Sequence, residues 1–212
     1  MTSVIARGVE GSGVLAESSG APSRERIVAG AADLISRRGL NATSIRELAK
    51  HAKAPLGSTY HYFPDGKQQL ATEAVRYAGT AVERLLRKEL DAGPVAGLRA
   101  FLGLWRGIVV ASDFRAGCPV LAVSVEEPPP GDELPPAITA AAEAFGNWEG
   151  LLAESLRSHG AADRAPELAT LVVASVEGAI AMCRARRDME PLDRVARQLE
   201  TLISAALPGP KA

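Results

Sequence analysis

Aromatic residues and cysteine are both scarce in this 212-residue chain, and each shortage narrows what the protein can be. Only 4% of the residues are aromatic, whereas alanine, leucine, valine and arginine are plentiful, and this composition favours helices over strands. The two cysteines, Cys118 and Cys183, lie far apart and show no spacing typical of a metal-binding motif. We therefore expect an all-α protein with no metal site and no cofactor.

Long apolar runs are also missing, because no stretch of 18 consecutive apolar residues occurs in the chain. We therefore expect no membrane span. Residues 1–22 lack the apolar core of a signal peptide, and we predict that they form a disordered tail. Together these features predict a cytoplasmic location.

The net charge of -1 hides an uneven distribution of charge along the chain. Residues 24–67 carry eight Lys or Arg against four Asp or Glu, a net charge of +4, whereas residues 68–212 carry fifteen against nineteen, a net charge of -4. A basic head on an acidic body is typical of a DNA-binding domain joined to a second domain. A difference of a few charges also arises by chance, so the charge alone does not decide the function.

Two short helices are predicted at the start of the first domain. Apolar residues recur at helical spacing from Ile27 to Ile35, and Gly39 stands where a glycine commonly ends a helix. In the next segment, Ser44 and Glu47 fit a capping box, in which each residue satisfies a free backbone amide of the other.

The segment PLGSTYHYF, residues 55–63, predicts a third helix. Pro55 suits the first helical position, because it lacks the amide hydrogen that would find no partner there. The turn signal Pro-Asp-Gly at 64–66 follows. Two short helices joined by a tight turn, behind a supporting helix, form the helix-turn-helix arrangement, whose second helix enters the major groove of DNA. We therefore predict a DNA-binding domain over residues 23–67.

Candidate DNA contacts follow from this placement. Gly57 permits close approach of the backbone to DNA, and the residues after it carry groups that can hydrogen-bond phosphates or bases. Lys67 can join the free amide end of the next helix at a phosphate. The Tyr-His-Tyr-Phe run also fits a packed helix end, and we expect Phe63 in the core. The predicted DNA-binding residues are Thr43, Ser44, Arg46, Lys53, Pro55, Gly57, Ser58, Thr59, Tyr60, His61, Tyr62 and Lys67.

Residues 68–207 are predicted to form a larger helical domain, because apolar residues recur there at helical spacing between Gly- and Pro-containing breaks. A polar, proline-rich loop, EEPPPGDELPP, interrupts it. Glu126, at the start of that loop, fits either a contact with a cationic ligand or a solvated surface position. The candidates for a ligand pocket, which are equally compatible with plain core packing, are Phe101, Trp105, Phe114, Cys118, Phe145, Trp148, Glu177 and Met182.

The stretch TSIRELAKHAKAPLGSTYHYFPDGKQQLATEAV, with SRERIVAGAADLISRRGLNA before it, closely resembles the DNA-binding domain of the tetracycline-repressor (TetR) family. The resemblance covers about residues 23–75 in order and spacing. The later segments FRAGCPVLAVSVE and LATLVVASVEGAIAMCRARRDMEPL look like the LmrA/YxaF-like branch of that family.

This resemblance implies an all-helical homodimer whose last two long helices, at 166–187 and 191–207, build a four-helix interface, in which we place Leu199 and Leu202. It also implies a pocket in the larger domain where a small-molecule effector controls the spacing of the two DNA-binding heads. The expected function is that of a ligand-released repressor acting on a near-palindromic operator in double-stranded DNA.

The alternative is a helical small-molecule-binding protein without DNA binding. An enzyme is not expected, because the sequence shows no nucleophile–base pair, phosphate loop or metal spacing. Two departures from the family pattern favour the alternative. Lys53 stands in the turn where members usually carry glycine, and we expect mild backbone strain there, costing about 1 kcal/mol. Leu56 stands where members usually carry Lys or Arg, so one phosphate contact is expected to be missing.

Overall fold

The computed structural model of the chain describes residues 23–128, 130 and 133–208. The secondary structure of these residues is entirely helical, which confirms the all-α prediction. The disordered tail predicted at 1–22 lies outside the described residues. The α-helices are α1 (Ser23–Arg38), α2 (Ile45–His51), α3 (Leu56–Tyr62), α4 (Gly66–Leu90), α5 (Pro94–Ala111), α6 (Pro119–Ser124), α7 (Pro136–Ser158), α8 (Ala165–Arg186) and α9 (Glu190–Ala206), and a short 3-10 helix spans Ala162–Arg164.

The helices pack into two compact units. The first extends to Ala81 and also contains Ala116–Ala144, whereas the second contains Val82–Arg115 and continues from Phe145. Division by packing therefore differs from the functional boundary that we predict after Lys67, because the segment around α6 packs with the amino-terminal helices. The functional boundary itself stays a prediction.

Local signals in the sequence set the start of α2. The Ser44 hydroxyl accepts a hydrogen bond from the Glu47 N–H at 3.2 Å, and the Glu47 carboxylate accepts one from the Ser44 N–H at 2.9 Å. This arrangement confirms the predicted capping box. Hydrogen bonds from the backbone and then the side chain of Ser44 lower the pKa of the Glu47 carboxyl. Because folding lowers this pKa, the box stabilises α2 above the ordinary glutamate pKa, and the stabilisation is lost as pH falls through the lowered value.

The core of the first unit is formed by residues of α1, α2 and α4 and by the residue that follows α3. Ile35, Leu48, Phe63 and Leu70 are completely buried there, which confirms the prediction that Phe63 is a core residue. Burying an aliphatic or aromatic side chain of this size contributes roughly 1.5–3 kcal/mol. These contacts fix α3 on α1 and α2 and thereby determine which side of α3 faces outward.

The core of the second unit is centred on a cluster of aromatic rings. Phe101 and Trp148 meet edge to face at 5.9 Å between ring centroids, and Trp105 lies 6.4 Å from Trp148. Within the described residues, the helices Pro94–Ala111 and Ala162–Arg186 are long and apolar enough to cross a membrane. Half of the most apolar 18-residue window in each helix is buried within the fold, and two such helices are weak evidence for a membrane span.

Candidate nucleic-acid interface

The turn between α2 and α3 has the tight geometry of a helix-turn-helix. Lys53 has a φ of +53°, which confirms the expected left-handed backbone at this position. Beside it, Ala52 lies so close to α1 that a Cβ built on Gly30 would stand 2.7 Å from the Ala52 Cβ. The end of α2 therefore packs so closely on α1 that a side chain at position 30 would force the two apart.

One side of α3 is exposed and polar. Gly57, Tyr60 and His61 are exposed, with Tyr60 at 50%, and their spacing of three and four residues places them on one face. Thr59 is buried on the opposite side of α3, and buried Phe63 follows the last residue of the helix. Leu56, the first residue of α3, is half-buried, so an apolar side chain gains there from partial burial.

Several of the predicted DNA-binding side chains hydrogen-bond within the fold. Four have partners within the fold, and one of them is Ser44, the exposed N-cap of α2, whose hydroxyl accepts from the Glu47 N–H and donates to the Glu47 carboxylate. Thr43 is buried and its hydroxyl donates to the Leu40 carbonyl at 2.9 Å, and Thr59 is completely buried and its hydroxyl donates to the Pro55 carbonyl at 3.1 Å. Lys67 Nζ donates to the carbonyls of Leu40 and Thr43 at 3.1 and 3.0 Å.

Thr43, Thr59 and Lys67 donate to backbone carbonyls of the fold, so the DNA-binding surface proposed below does not include them. Pro55 precedes the first helical residue of α3, one position from its predicted place. Lys67 is half-exposed, and the nine remaining predicted residues are exposed or half-exposed: Ser44, Arg46, Lys53, Pro55, Gly57, Ser58, Tyr60, His61 and Tyr62.

A charged cluster that the sequence analysis missed links α1 and α2. The Asp33 carboxylate accepts two hydrogen bonds from Arg37, both at 3.0 Å, and lies 2.7 Å from Nε2 of His51. It therefore ties the end of α2 to α1. The spacing of Asp33 and Arg37 within one helix was visible in the sequence, but the contact with His51 joins residues of different helices and leaves no local pattern.

The predicted ligand-pocket residues do not all come together. Phe101, Trp105, Phe145 and Trp148 form the aromatic cluster of the second unit, in which Phe145 lies 5.5 Å from Trp148. Trp105 is almost fully buried, yet its indole Nε1 has no hydrogen-bond partner among the residues that the structure describes.

The other ligand-pocket candidates lie elsewhere. Glu177 is buried in the second unit, whereas Met182 is 45% exposed on α8. Phe114 is half-buried beneath the Arg187 guanidinium, which lies 5.8 Å from its ring centroid. Cys118 belongs to the first unit, where its sulfur is buried and accepts a hydrogen bond from the Leu121 N–H at 3.4 Å.

An open groove of about 710 Å³ lies between α4 and α7 in the second unit. Its polar lining includes Arg84, Arg87, Lys88, Glu154 and His159. None of the eight predicted ligand residues lines it. In the described part of the chain, no group of three or more His, Cys, Asp or Glu side chains is arranged to hold a metal ion.

Comparison with known proteins agrees with this geometry. Residues 27–74 match the family model of bacterial regulatory proteins of the tetR family, and residues 94–198 match the model of the C-terminal domain of LmrA/YxaF-like transcriptional regulators. An HTH-type transcriptional regulator of Mycobacterium tuberculosis is 46% identical over 191 residues, which cover 87% of this chain and 96% of that protein.

Two further comparisons give the same result. The HTH-type transcriptional regulator YxaF of Bacillus subtilis is 33% identical over 184 residues, which cover 85% of this chain and 95% of that protein. The crystal structure of a TetR transcriptional regulator from Legionella pneumophila superimposes with a TM-score of 0.74 at 19% identity, covering 87% of this chain and 98% of that one, which shows a shared fold.

Proposed function

Because the chain belongs to the TetR family of bacterial regulatory proteins and is a DNA-binding transcriptional regulator, we propose that it is a repressor that a small-molecule effector releases from a near-palindromic operator. The observation that supports operator binding most directly is the exposed face of α3, with Gly57, Tyr60 and His61 outward. Repression by a ligand-released dimer is the behaviour typical of this family.

The proposed contacts combine base reading with phosphate binding. Tyr60 and His61 carry donors and acceptors that suit base edges or phosphates, and the bare backbone at Gly57 lets the helix approach the groove closely. Arg46, at the start of α2, and Lys53, in the turn, supply positive charge for phosphates. Ser44, Pro55, Ser58 and Tyr62 complete the proposed surface.

For the effector, we propose a site beside the aromatic cluster of the second unit. A buried donor without a partner costs about 1–3 kcal/mol, so a ligand oxygen that accepts from the Trp105 Nε1 would recover that cost. We place the protein in the cytoplasm with its operator, and we propose no catalytic role, in keeping with relatives that are regulators.

A salt titration of operator binding tests this function. We expect a gel shift with DNA that flanks the protein's own gene, and we expect its affinity to fall steeply as salt rises. If Arg46 and Lys53 of two heads neutralise four phosphates, the slope of log K against log salt is roughly -3.6. Thermal-shift screening then identifies compounds that bind, and the same gel shift shows whether they release the DNA. A protein that binds such compounds but shifts no fragment contradicts the repressor proposal and favours the ligand-binding alternative.

Replacing Lys53, the left-handed turn residue, with glycine should raise the stability of the fold and weaken the salt dependence of DNA binding. Lys53→Gly is expected to stabilise the fold by about 0.5 kcal/mol, because relief of the left-handed strain exceeds the added entropy of the unfolded chain. The same change removes two charges per dimer, so the salt slope becomes shallower by roughly 1.8. Urea denaturation and the salt titration measure these quantities.

Lys50→Gly is the matched control for this prediction, because Lys50 is exposed in regular α2 helix and loses the same charge. We expect it to destabilise the fold by about 1 kcal/mol. Destabilisation by both substitutions would contradict the assignment of strain to Lys53.

A further inference from the structure

Part of the carboxyl-terminal region is built into the DNA-binding unit. The LmrA/YxaF-like model covers residues 94–198, yet the segment Ala116–Ala144 packs in the first unit with α1, α2 and α3. Its helix α6 packs against α1, and the Gly117 N–H donates to the Ser36 carbonyl at 3.3 Å. This segment is therefore placed to influence the geometry of the head directly.

Glu126, two residues after α6, makes the most specific contact of this segment. Its Oε1 atom accepts hydrogen bonds from the backbone N–H groups of Leu40 and Asn41, at 2.6 and 3.1 Å. These amides begin the loop that leaves α1. Hydrogen bonds to a carboxylate are about twice as strong as those between neutral groups.

Gly39 makes room for this contact. Its φ of +78° is one that residues with side chains rarely adopt, and a Cβ built on it would lie 2.6 Å from Glu126 Oε1. A side chain at position 39 would therefore displace the carboxylate. The same glycine both ends α1 and admits Glu126.

The loop is held from its other side by a cation. Lys67 Nζ donates to the carbonyls of Leu40 and Thr43, so both the N–H and the C=O of Leu40 have a charged partner. The loop then leads into Ser44, the N-cap of α2. Fixing this loop therefore fixes where α2 begins, and α2 supports α3.

We propose that Glu126 is a positioning residue for DNA binding: its carboxylate clamps the loop at 40–41, so operator affinity depends on the conformation of the segment that follows α6. The proposal rests on the DNA-binding function proposed above. This role differs from both roles expected from the sequence, which were a contact with a cationic ligand and a solvated surface position. The reason is that Glu126 Oε1 accepts hydrogen bonds from backbone amides of the loop after α1.

The test uses the full chain and the two variants Glu126→Ala and Glu126→Gln. Glu127→Ala is the matched control, because it removes a neighbouring exposed carboxylate. Hydrogen exchange of the Leu40 and Asn41 amides is measured on the free protein, and operator affinity is measured by gel shift. We expect Glu126→Ala to speed exchange of both amides roughly ten- to hundred-fold, as the loss of charged hydrogen bonds implies, and to weaken operator binding at least ten-fold. Glu126→Gln keeps an acceptor oxygen and should recover part of both effects, whereas Glu127→Ala should change neither.

Unchanged amide exchange in Glu126→Ala would overturn the clamp. Faster exchange with unchanged operator affinity would overturn its role in DNA binding. Equal effects of the Ala and Gln variants would show that the acceptor oxygen is irrelevant and would also contradict the proposal. A wild-type protein that binds no operator fragment overturns the proposed function and the positioning role together, and the exchange measurement then decides separately whether the clamp exists.

Discussion

Replacing Tyr60 or His61 with alanine is expected to weaken operator binding by roughly 30-fold or more while leaving the protein folded and dimeric. Both side chains are exposed on the outer face of α3, so their removal creates no cavity. A good base contact contributes about 1–3 kcal/mol, and a two-fold dimer loses each contact twice, so the combined loss is about 2–6 kcal/mol. Gel shift measures the affinity, and circular dichroism with thermal melting checks the fold.

Two control variants separate the causes of this effect. Tyr60→Phe keeps the ring and removes only the hydroxyl. The loss of operator affinity in this variant therefore measures the hydrogen bond, and the further loss in Tyr60→Ala measures the ring contacts. Leu134→Ala shortens a side chain that is also exposed but lies outside the helix-turn-helix, and it should leave operator affinity unchanged. Wild-type affinity in either alanine variant would remove that residue from the proposed surface.

The helix-turn-helix was predictable because its signals are local. The capping box joins residues three apart, and the left-handed turn at Lys53 follows from the tight link between two short helices. The burial of Thr59 was also within reach, because Thr59 precedes the core residue Phe63 by four positions and therefore shares its face.

The clamp on the first loop could not be predicted in the same way. Glu126 and Leu40 are 86 residues apart, and a carboxylate that accepts from backbone amides puts no constraint on the side chains of its partners. The same holds for Lys67, whose ammonium donates to the backbone carbonyl oxygens of Leu40 and Thr43. Sequence patterns report side-chain periodicity, so contacts from a side chain to a distant backbone group leave no trace in them.

The ligand-pocket candidates show a different limit. Large apolar side chains at helical spacing are required equally by a core and by a pocket, so periodicity selected both Trp148, which is fully buried, and Met182, which is exposed. The candidates differ in whether their buried polar atoms have hydrogen-bond partners. Only the folded structure shows that the Trp105 indole N–H is buried without a hydrogen-bond partner in the described part of the chain.

The exposed faces of α8 and α9 support a homodimer interface. Leu171 and Met182 on α8 are 42% and 45% exposed, and their separation of eleven residues is close to three helical turns, which places them on one face. The exposed positions between them include Ala174, Gly178 and Ala181, which let a partner helix approach closely. On α9, Leu202 is 37% exposed. An apolar face of this kind is typical of a protein–protein contact.

The double substitution Leu171→Asp with Leu202→Asp is expected to raise the dimer dissociation constant at least 100-fold and to abolish operator binding at concentrations where the wild type binds. Each leucine contributes roughly 1.5–3 kcal/mol when buried, and a two-fold interface contains both leucines twice. Sedimentation measures the mass.

Leu199, which the family resemblance also led us to place in the interface, is only 3% exposed within one chain, so Leu199→Asp should unfold the protomer instead. Val110→Asp adds the same charge to another exposed apolar site of the second unit, and it should leave the dimer intact. An unchanged mass for the double variant would place the interface elsewhere, because burying unpaired carboxylates in an apolar interface costs several kcal/mol for each ion.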